Sequence, residues 1–516
     1  MASTKSADLG FPIYVCFCAF VAAISGFNVG WHIGVPNMPA KIITQCPGGE
    51  TTIGGLPSCL PMDSFTWGYT VGAFALGGLA GALATTYLNV WFTRRQNIII
   101  SCGLYIVGGV LSAASAHVVM YAVGRAFVGL ASGGAGSSVA IYISEISTKR
   151  CRGALGSVFE FLLNMGILLS FVAGRYMAFA PVWRLGWAIP TIVAGIQMLT
   201  MIFFCAESPR RLCADGKYDD ARAALQRFRK GADITEEYQD LIDARQREIE
   251  SGVQKMSMLD VILCKDRHVS WNTFIVVMIQ ASNQVGGIGP LSGMLSLSSL
   301  NMYTIIYAAS FLTTVLNGNS QLASDISLVN ATGKIVATFI TIFTLNKVGR
   351  KGFMLISSLG MSIFCMFIVI GAVLGETREG LGPLVICGAV AYTFVYAMGC
   401  GTIPWIIAPE LLPLKALPPG SALGGASNWF FNFLINTLWP QQLANLGNYS
   451  FIVFAVVNFI LFLFFLFFMP ETTGRDLDEK KAPSGDVENH GSAGSTEGNS
   501  FSDEVKQEKT HIEHVN

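Results

Sequence analysis

The sequence predicts an all-α membrane protein of about twelve transmembrane helices, in two six-helix bundles joined by a short cytoplasmic helical linker. Three observations carry that expectation. Of 516 residues, 52% are hydrophobic and 13% charged, where a soluble domain has about a quarter charged residues, so the chain has too little polar surface to cover itself in water. Apolar stretches long enough to cross a bilayer recur along it; a helix needs about 20 such residues, with every backbone polar group bonded internally. Lys and Arg gather in alternate loops, the pattern of the positive-inside rule.

The first apolar stretch, 11 to 36, lacks a small-residue cleavage site and reads as a retained span rather than a signal peptide. The loop from 40 to 65 has Lys41 as its one basic residue and holds Cys46 and Cys59, which an oxidising outer compartment would permit to bridge. Spans at 66 to 88 and 97 to 116 flank Arg94 and Arg95. Those at 118 to 143 and 154 to 175 flank Lys149 to Arg152, and 185 to 205 ends before Arg210 and Arg211. These basic loops belong inside, which puts both termini in the cytoplasm.

Residues 207 to 268 are polar, and KYDDARAALQRFRK and EEYQDLIDARQREIE space their charges three and four apart, so short helices are expected under the bundles. Six more spans follow, at 270 to 316, 322 to 345, 353 to 374, 383 to 408, 420 to 440 and 451 to 469, with inside loops marked by Lys347 to Lys351 and Lys415. Asn272 to Leu316 carries no charge and is about twice one span's length; GPLSGMLSLSSL, 289 to 300, reads as an inserted piece that would break this helix. Asn448-Tyr-Ser is a glycosylation sequon in the last outside loop. The organisation is thus 1–206, a first bundle; 207–268, the linker; 269–475, a second bundle; and 476–516, a polar tail expected to be disordered.

The formal charge is zero, so nothing in the bulk electrostatics points to nucleic acid. No phosphate-cradling GxxxxGK[ST] loop, zinc spacing or nucleophile elbow occurs, which argues against an enzyme, a cofactor, a metal site or ATP-driven transport. The halves repeat one another. WFTRRQN after span two corresponds to NKVGRKGF after span eight, and EISTKRCRG after span four to ELLPLKALPPG after span ten. Parallel halves of this kind mark carriers that rock about a site near the midplane.

Six strings in order, GRAFVGLASG with YISEISTKRCRGALG, ESPRRL, NKVGRK, IPWIIAPELLP, SNWFFNF and PETTGR, resemble the sugar porter family of the major facilitator superfamily. VGWHIGVPNMP is similar to the first helix of the facilitative hexose carriers. The resemblance implies the major facilitator fold and a secondary transporter moving a hexose or similar sugar by alternating access, as a facilitator or proton symporter. Its partners would be a sugar, the bilayer and, for a symporter, protons. The plasma membrane is the expected location. A transporter-like sensor without net flux, and a carrier of a polyol or sugar acid, stay open as alternatives.

Arg94, Arg95, Glu145, Arg152, Glu207, Arg350, Glu410, Glu471 and Arg475 lie at or near cytoplasmic span ends, with Arg125 inside helix four. Acids and guanidiniums there would pair across neighbouring helices as a latch, broken and remade as the halves rock. A pure topology signal needs no acids. The resemblance puts Asn283, Gln284, Asn301, Trp405, Asn428 and Asn432 in the sugar site, where amides meet hydroxyls and an aromatic covers the sugar's apolar face; the plainer reading is helix packing.

Several positions depart from the family pattern. Glu160 replaces a sugar-binding Gln, and such a carboxylate should be protonated, paired or facing water. Lys334 replaces an Asn and offers the opposite charge. His32 stands where proton-coupled members have Asp, and Ala397 where hexose facilitators have an acid. His32, Glu160 and Lys334 are therefore the candidate coupling residues, set against a self-neutralising pair and a packed histidine. In LNVWFTRR, Val90, Trp91 and Thr93 replace the family's GxxxDRxGRR pattern, which would loosen or move the gate.

Overall fold

The computed structural model describes residues 10–37, 40–46, 51–53, 55–148, 150–177, 179, 181–250, 256–295, 320–375, 382–413 and 415–473. Before the linker run α1 Ile13–Gly34, α2 Ser64–Trp91, α3 Arg94–Ala113, α4 Val118–Ile146, α5 Arg152–Met177 and α6 Leu185–Phe203. The linker folds as α7 Pro209–Ala214, α8 Tyr218–Phe228, α9 Thr235–Glu250 and α10 Met258–Ile262. After it come α11 Arg267–Val285, α12 Ile288–Leu295, α13 Ser320–Val348, α14 Arg350–Gly375, α15 Gly382–Met398, α16 Pro404–Leu411, α17 Leu417–Leu446 and α18 Ser450–Phe468.

Among the described residues, ten helices are long and apolar enough to cross a membrane. The remaining two expected spans fall short for reasons that matter to the site. One is broken into α15 and α16. The other, α17, has 30 residues but is diluted by Asn428, Asn432 and Asn436. The protein is a multi-pass membrane protein.

The long helices pack at van der Waals range without lipid-phase hydrophobic drive, so small residues set the closest approaches. A Cβ added to Gly30 on α1 would stand 1.8 Å from the Leu163 carbonyl oxygen on α5, and one on Gly133 of α4 would stand 1.9 Å from Gly78 O on α2. Each set of helices encloses an apolar core. Trp429 of α17 packs into the first core and Ile141 of α4 into the second, so the two interlock along a seam.

At the end away from the linker, Cys46 and Cys59 are bridged, closing a loop that contains the small hairpin Thr52–Ile53 and Leu56–Pro57. Trp183 Nε1 donates to Ser58 O at 2.8 Å and Arg184 Nη2 to Pro57 O at 2.7 Å, fixing this loop to the α5–α6 turn.

Two spans are bent. The seventh breaks at Gly286 and Gly287, the latter at φ +99°, a conformation glycine adopts without strain. The freed Gly286 carbonyl accepts from Tyr392 Oη at 2.7 Å and Asn458 Nδ2 at 3.1 Å, as buried backbone requires. The break thus lies just before the stretch 289–300 read as an insertion. Its first residues belong to α12, while 296–300, Asn301, Arg475 and the tail lie outside the described residues. The tenth span turns between α15 and α16, where Gly401 N–H bonds back to Tyr396 O at 2.8 Å.

Candidate functional site

Amides from α11 meet backbone carbonyls in the turn between α15 and α16 and at the start of α16. Asn283 Nδ2 donates to Cys400 O and Gln280 Nε2 to Pro404 O, both at 2.8 Å. From there a belt of amides runs to α17. Asn428 Nδ2 reaches Asn283 Oδ1 at 3.1 Å and Gln280 Oε1 at 3.2 Å; Gln284 Nε2 donates to Asn428 Oδ1 at 3.1 Å; Asn432 Nδ2 donates to Gln284 Oε1 at 3.0 Å. Side chains four apart on each helix share one face, which is why Gln280 and Gln284 meet Asn428 and Asn432. A cleft beside this belt is lined by Gly136, Ser137, Gln280, Trp405, Asn428 and Trp429.

Trp405 stands at the start of α16 with its ring 4.9 Å from that of Phe159, and Gly136 leaves room for it: a Cβ there would lie 2.8 Å from Trp405 Cζ3. Its Nε1 is buried and turned to the Glu160 carboxyl. Glu160 is 3% exposed on α5, and its Oε1 accepts from Asn164 Nδ2 at 3.0 Å. Lys334 is 7% exposed on α13, with Nζ 5.6 Å from the centre of the Tyr396 ring. The two opposite charges interact across the seam, and Asn164 Nδ2 also reaches Thr338 Oγ1 of α13 at 3.2 Å. Asn164, Gln280, Thr338 and Tyr396 were not among the sequence candidates. Heptad-like spacing finds Asn164 and Gln280, each four residues from a candidate; nothing local marks the other two.

His32 takes no part in this cluster. Its ring is fully buried, stacked 6.0 Å from Tyr105 and 5.7 Å from Trp187, and neither ring nitrogen has a hydrogen-bond partner. Arg125, expected with the gating charges, lies apart from the described ion pairs near the linker. Its Nη1 donates to His32 O at 3.0 Å, and its guanidinium sits over Phe74 at 4.6 Å and Trp187 at 5.2 Å, cation–π contacts of the kind that shelter a buried cation.

Near the linker the charged residues form two matching sets. In the first, Arg94 Nε meets Glu145 Oε1 at 3.3 Å, and Glu207 accepts from the Arg95 backbone N–H at 3.2 Å. In the second, Arg350 Nη2 meets Glu410 Oε1 at 2.8 Å, and Glu471 accepts from the N–H groups of Arg350 at 3.0 Å and Lys351 at 3.1 Å. Each post-span acid therefore sits on the N-terminus of a long helix, α3 or α14, where the helix dipole favours negative charge. The pairs of Arg94 with Glu145 and of Arg350 with Glu410 each close within a half. Across the seam, a Cβ added to Gly153 on α5 would come within 2.7 Å of Arg350 Nη2. Arg152 opens α5 beside it.

The degenerate LNVWFTRR loop is not loose. Thr93 and Gln96 make a reciprocal capping box at the start of α3, and Arg211 donates to Asn89 O at 2.6 Å. Burial pushes the Glu207 carboxyl up, against hydrogen bonds from Thr93 and backbone N–H groups. Burial alone would raise the Glu471 carboxyl, but hydrogen bonds from Thr473 and the backbone N–H groups of Arg350, Thr472 and Thr473 together outweigh it and hold it below the usual range.

The chain matches the family model described as "Sugar (and other) transporter" over residues 18–482. It belongs to that family. This sugar transporter family member is 28% identical over 476 residues to facilitated glucose transporter member 4 of Homo sapiens, covering 90% of this chain and 89% of the relative. It is 28% identical over 480 residues to facilitated glucose transporter member 3 of Oryctolagus cuniculus, covering 90% and 91%. Among solved structures it is similar to the major facilitator superfamily proton:xylose symporter XylE bound to 6-bromo-6-deoxy-D-glucose, with TM-score 0.73 at 20% identity over 91% of this chain and 99% of that one. Partially occluded inward-open XylE from E. coli gives TM-score 0.66 at 20% identity, covering 90% and 99%. The family member is a membrane carrier of the major facilitator fold, not an enzyme.

Proposed function

We propose that this carrier moves a hexose or similar sugar across the plasma membrane by alternating access, with the linker helices and both termini in the cytoplasm. One observation carries the reading: Gln280, Asn283, Gln284, Asn428 and Asn432 make a continuous hydrogen-bonded belt near the indole of Trp405. Amides both donate and accept, so the belt meets hydroxyls in either sense, while the ring covers the apolar side of a sugar. The names of the curated relatives, facilitated glucose transporters, support a hexose. The charged sets then brace the cytoplasmic end of each half, and the seam at Gly153 and Arg350 is what parts when the carrier opens inward.

Transport without proton coupling at His32 is part of the proposal. A ring sealed between Tyr105 and Trp187 with no polar partner offers a proton no route. Purified protein in proteoliposomes, given labelled glucose with and without an inward proton gradient, tests both points. Uptake down the sugar gradient and indifferent to the proton gradient is expected. Sugar binding without flux would replace the reading with a sensor; gradient-dependent accumulation would overturn uncoupled transport, with its loss in His32→Phe placing coupling at His32 and its loss in Glu160→Gln placing it at Glu160.

A further inference from the structure

Glu160 and Lys334 differ from the amides around them in one chemical respect. An amide serves as donor and acceptor, whereas a carboxylate only accepts and an ammonium only donates. They stand on opposite sides of the seam, on α5 and α13, and interact electrostatically, yet among the described residues neither belongs to an ion pair within 4.0 Å. Glu160 has Asn164 and the Trp405 indole as hydrogen-bond donors, and Lys334 Nζ lies over the Tyr396 ring with no acceptor among the described residues. One further polar atom nearby is buried without a partner, Asn330 Oδ1, one turn from Lys334 on α13, while Trp405 Nε1 is turned to the Glu160 carboxyl. Buried polar groups are seldom left unmatched, and a polar ligand held between α5 and α13 would match the Lys334 ammonium and the Asn330 carbonyl.

We propose that Glu160 and Lys334 form a directional reader of neighbouring hydroxyls: one sugar hydroxyl donates to the Glu160 carboxylate, the adjacent one accepts from the Lys334 ammonium, and the bridged pair draws α5 and α13 together. The proposal rests on the sugar-carrier reading above. It assigns the solute a vicinal diol presented in a fixed sense, which an all-amide site would not require.

Fluorine tests the sense, because it replaces a hydroxyl in size, accepts weakly and never donates. Competition for labelled hexose uptake by complete deoxy and deoxyfluoro series, in proteoliposomes, should show two adjacent positions of opposite behaviour. At the position facing Glu160 both replacements weaken competition at least about tenfold, since a buried charge is left unmatched. At its neighbour, facing Lys334, the deoxy sugar fails but the fluoro sugar still competes. Glu160→Gln should erase the asymmetry at the first position alone, and Lys334→Met the preference at the second alone. If both variants merely lower uptake and leave the two series' pattern intact, the reader is wrong.

Thermal unfolding in detergent supplies a readout that needs no solute. Glu160→Gln and Lys334→Met should each lower the melting temperature, and the double variant should recover part of that loss, because removing both members of a buried pair costs less than stranding one. Strictly additive losses would show that the two charges are not one unit. Absence of uptake for every sugar in the parent protein would instead strike the carrier reading, and the melting cycle would still judge the pair.

Discussion

Arg350 grips Glu410 with two guanidinium nitrogens, Nη2 to Oε1 at 2.8 Å and Nε to Oε2 at 3.0 Å, and Thr472 Oγ1 closes on Oε2 at 2.6 Å. Their side chains are 5% and 7% exposed. Such a fork depends on planar geometry that lysine lacks. Arg350→Lys should therefore unfold at a clearly lower temperature than the parent. Glu410→Gln should cost more, about 3–5 kcal/mol, by stranding the buried guanidinium. Thermal denaturation of purified protein in detergent checks both, and melting points within error of the parent would show that the pair is dispensable.

Gly153 meets the same arginine from the other half of the molecule, where a Cβ fits only if the guanidinium shifts. Gly153→Val should wedge the seam and favour the state open at the linker end. A cysteine introduced at Ser421, a residue lining the central cleft and only 6% exposed, reports it. Labelling of that cysteine by a membrane-impermeant maleimide from the linker side should be faster in the valine variant, and an unchanged rate would refute the wedge.

Asn428 joins the two helices of the amide belt, donating to Gln280 and Asn283 while accepting from Gln284. Asn428→Leu removes all three links at once. The KM for hexose uptake should rise at least about tenfold, since buried amides left unmatched cost 1–3 kcal/mol each. Asn436→Leu, one turn beyond the belt and bonded to the Asn432 backbone carbonyl, should change KM little. Equal effects of the two substitutions would count against the belt as the binding surface.

Glu471 and Glu207 occupy matching places but should respond to pH with opposite sign. The Glu471 carboxyl is held below its ordinary value of 4.5, so its contribution to stability is present above that pH and is lost as pH falls through the folded value. Glu207 is held above the same value, so folding favours its neutral form and its contribution grows as pH falls. Melting temperature followed downward from pH 6 should drop less steeply in Glu471→Gln than in the parent, and more steeply in Glu207→Gln. Parallel curves for all three proteins would contradict the assignment.

Much of this was legible in the chain. Hydropathy marks spans because each helix must satisfy its own backbone in lipid, a local requirement that composition records directly. The amides of α11 and α17 were visible as polar residues where an apolar helix has no local use for them. Strings such as NKVGRK and PETTGR tied the ends of the halves to a known family.

What remained hidden depended on which helices touch. Arg350 and Glu410 are 60 residues apart, and Arg94 and Glu145 are 51 apart, so no local pattern tells whether such acids latch two halves or brace one. Arg125 shows the same limit: its partners are two rings and a carbonyl 93 residues away, supplied by packing alone. The sequence by itself determined where the chain crosses the membrane and which polar residues it carries inside, because lipid acts on each helix separately. Only the tertiary structure decided which of those residues meet, because partners come from helix crossings between segments far apart in the chain.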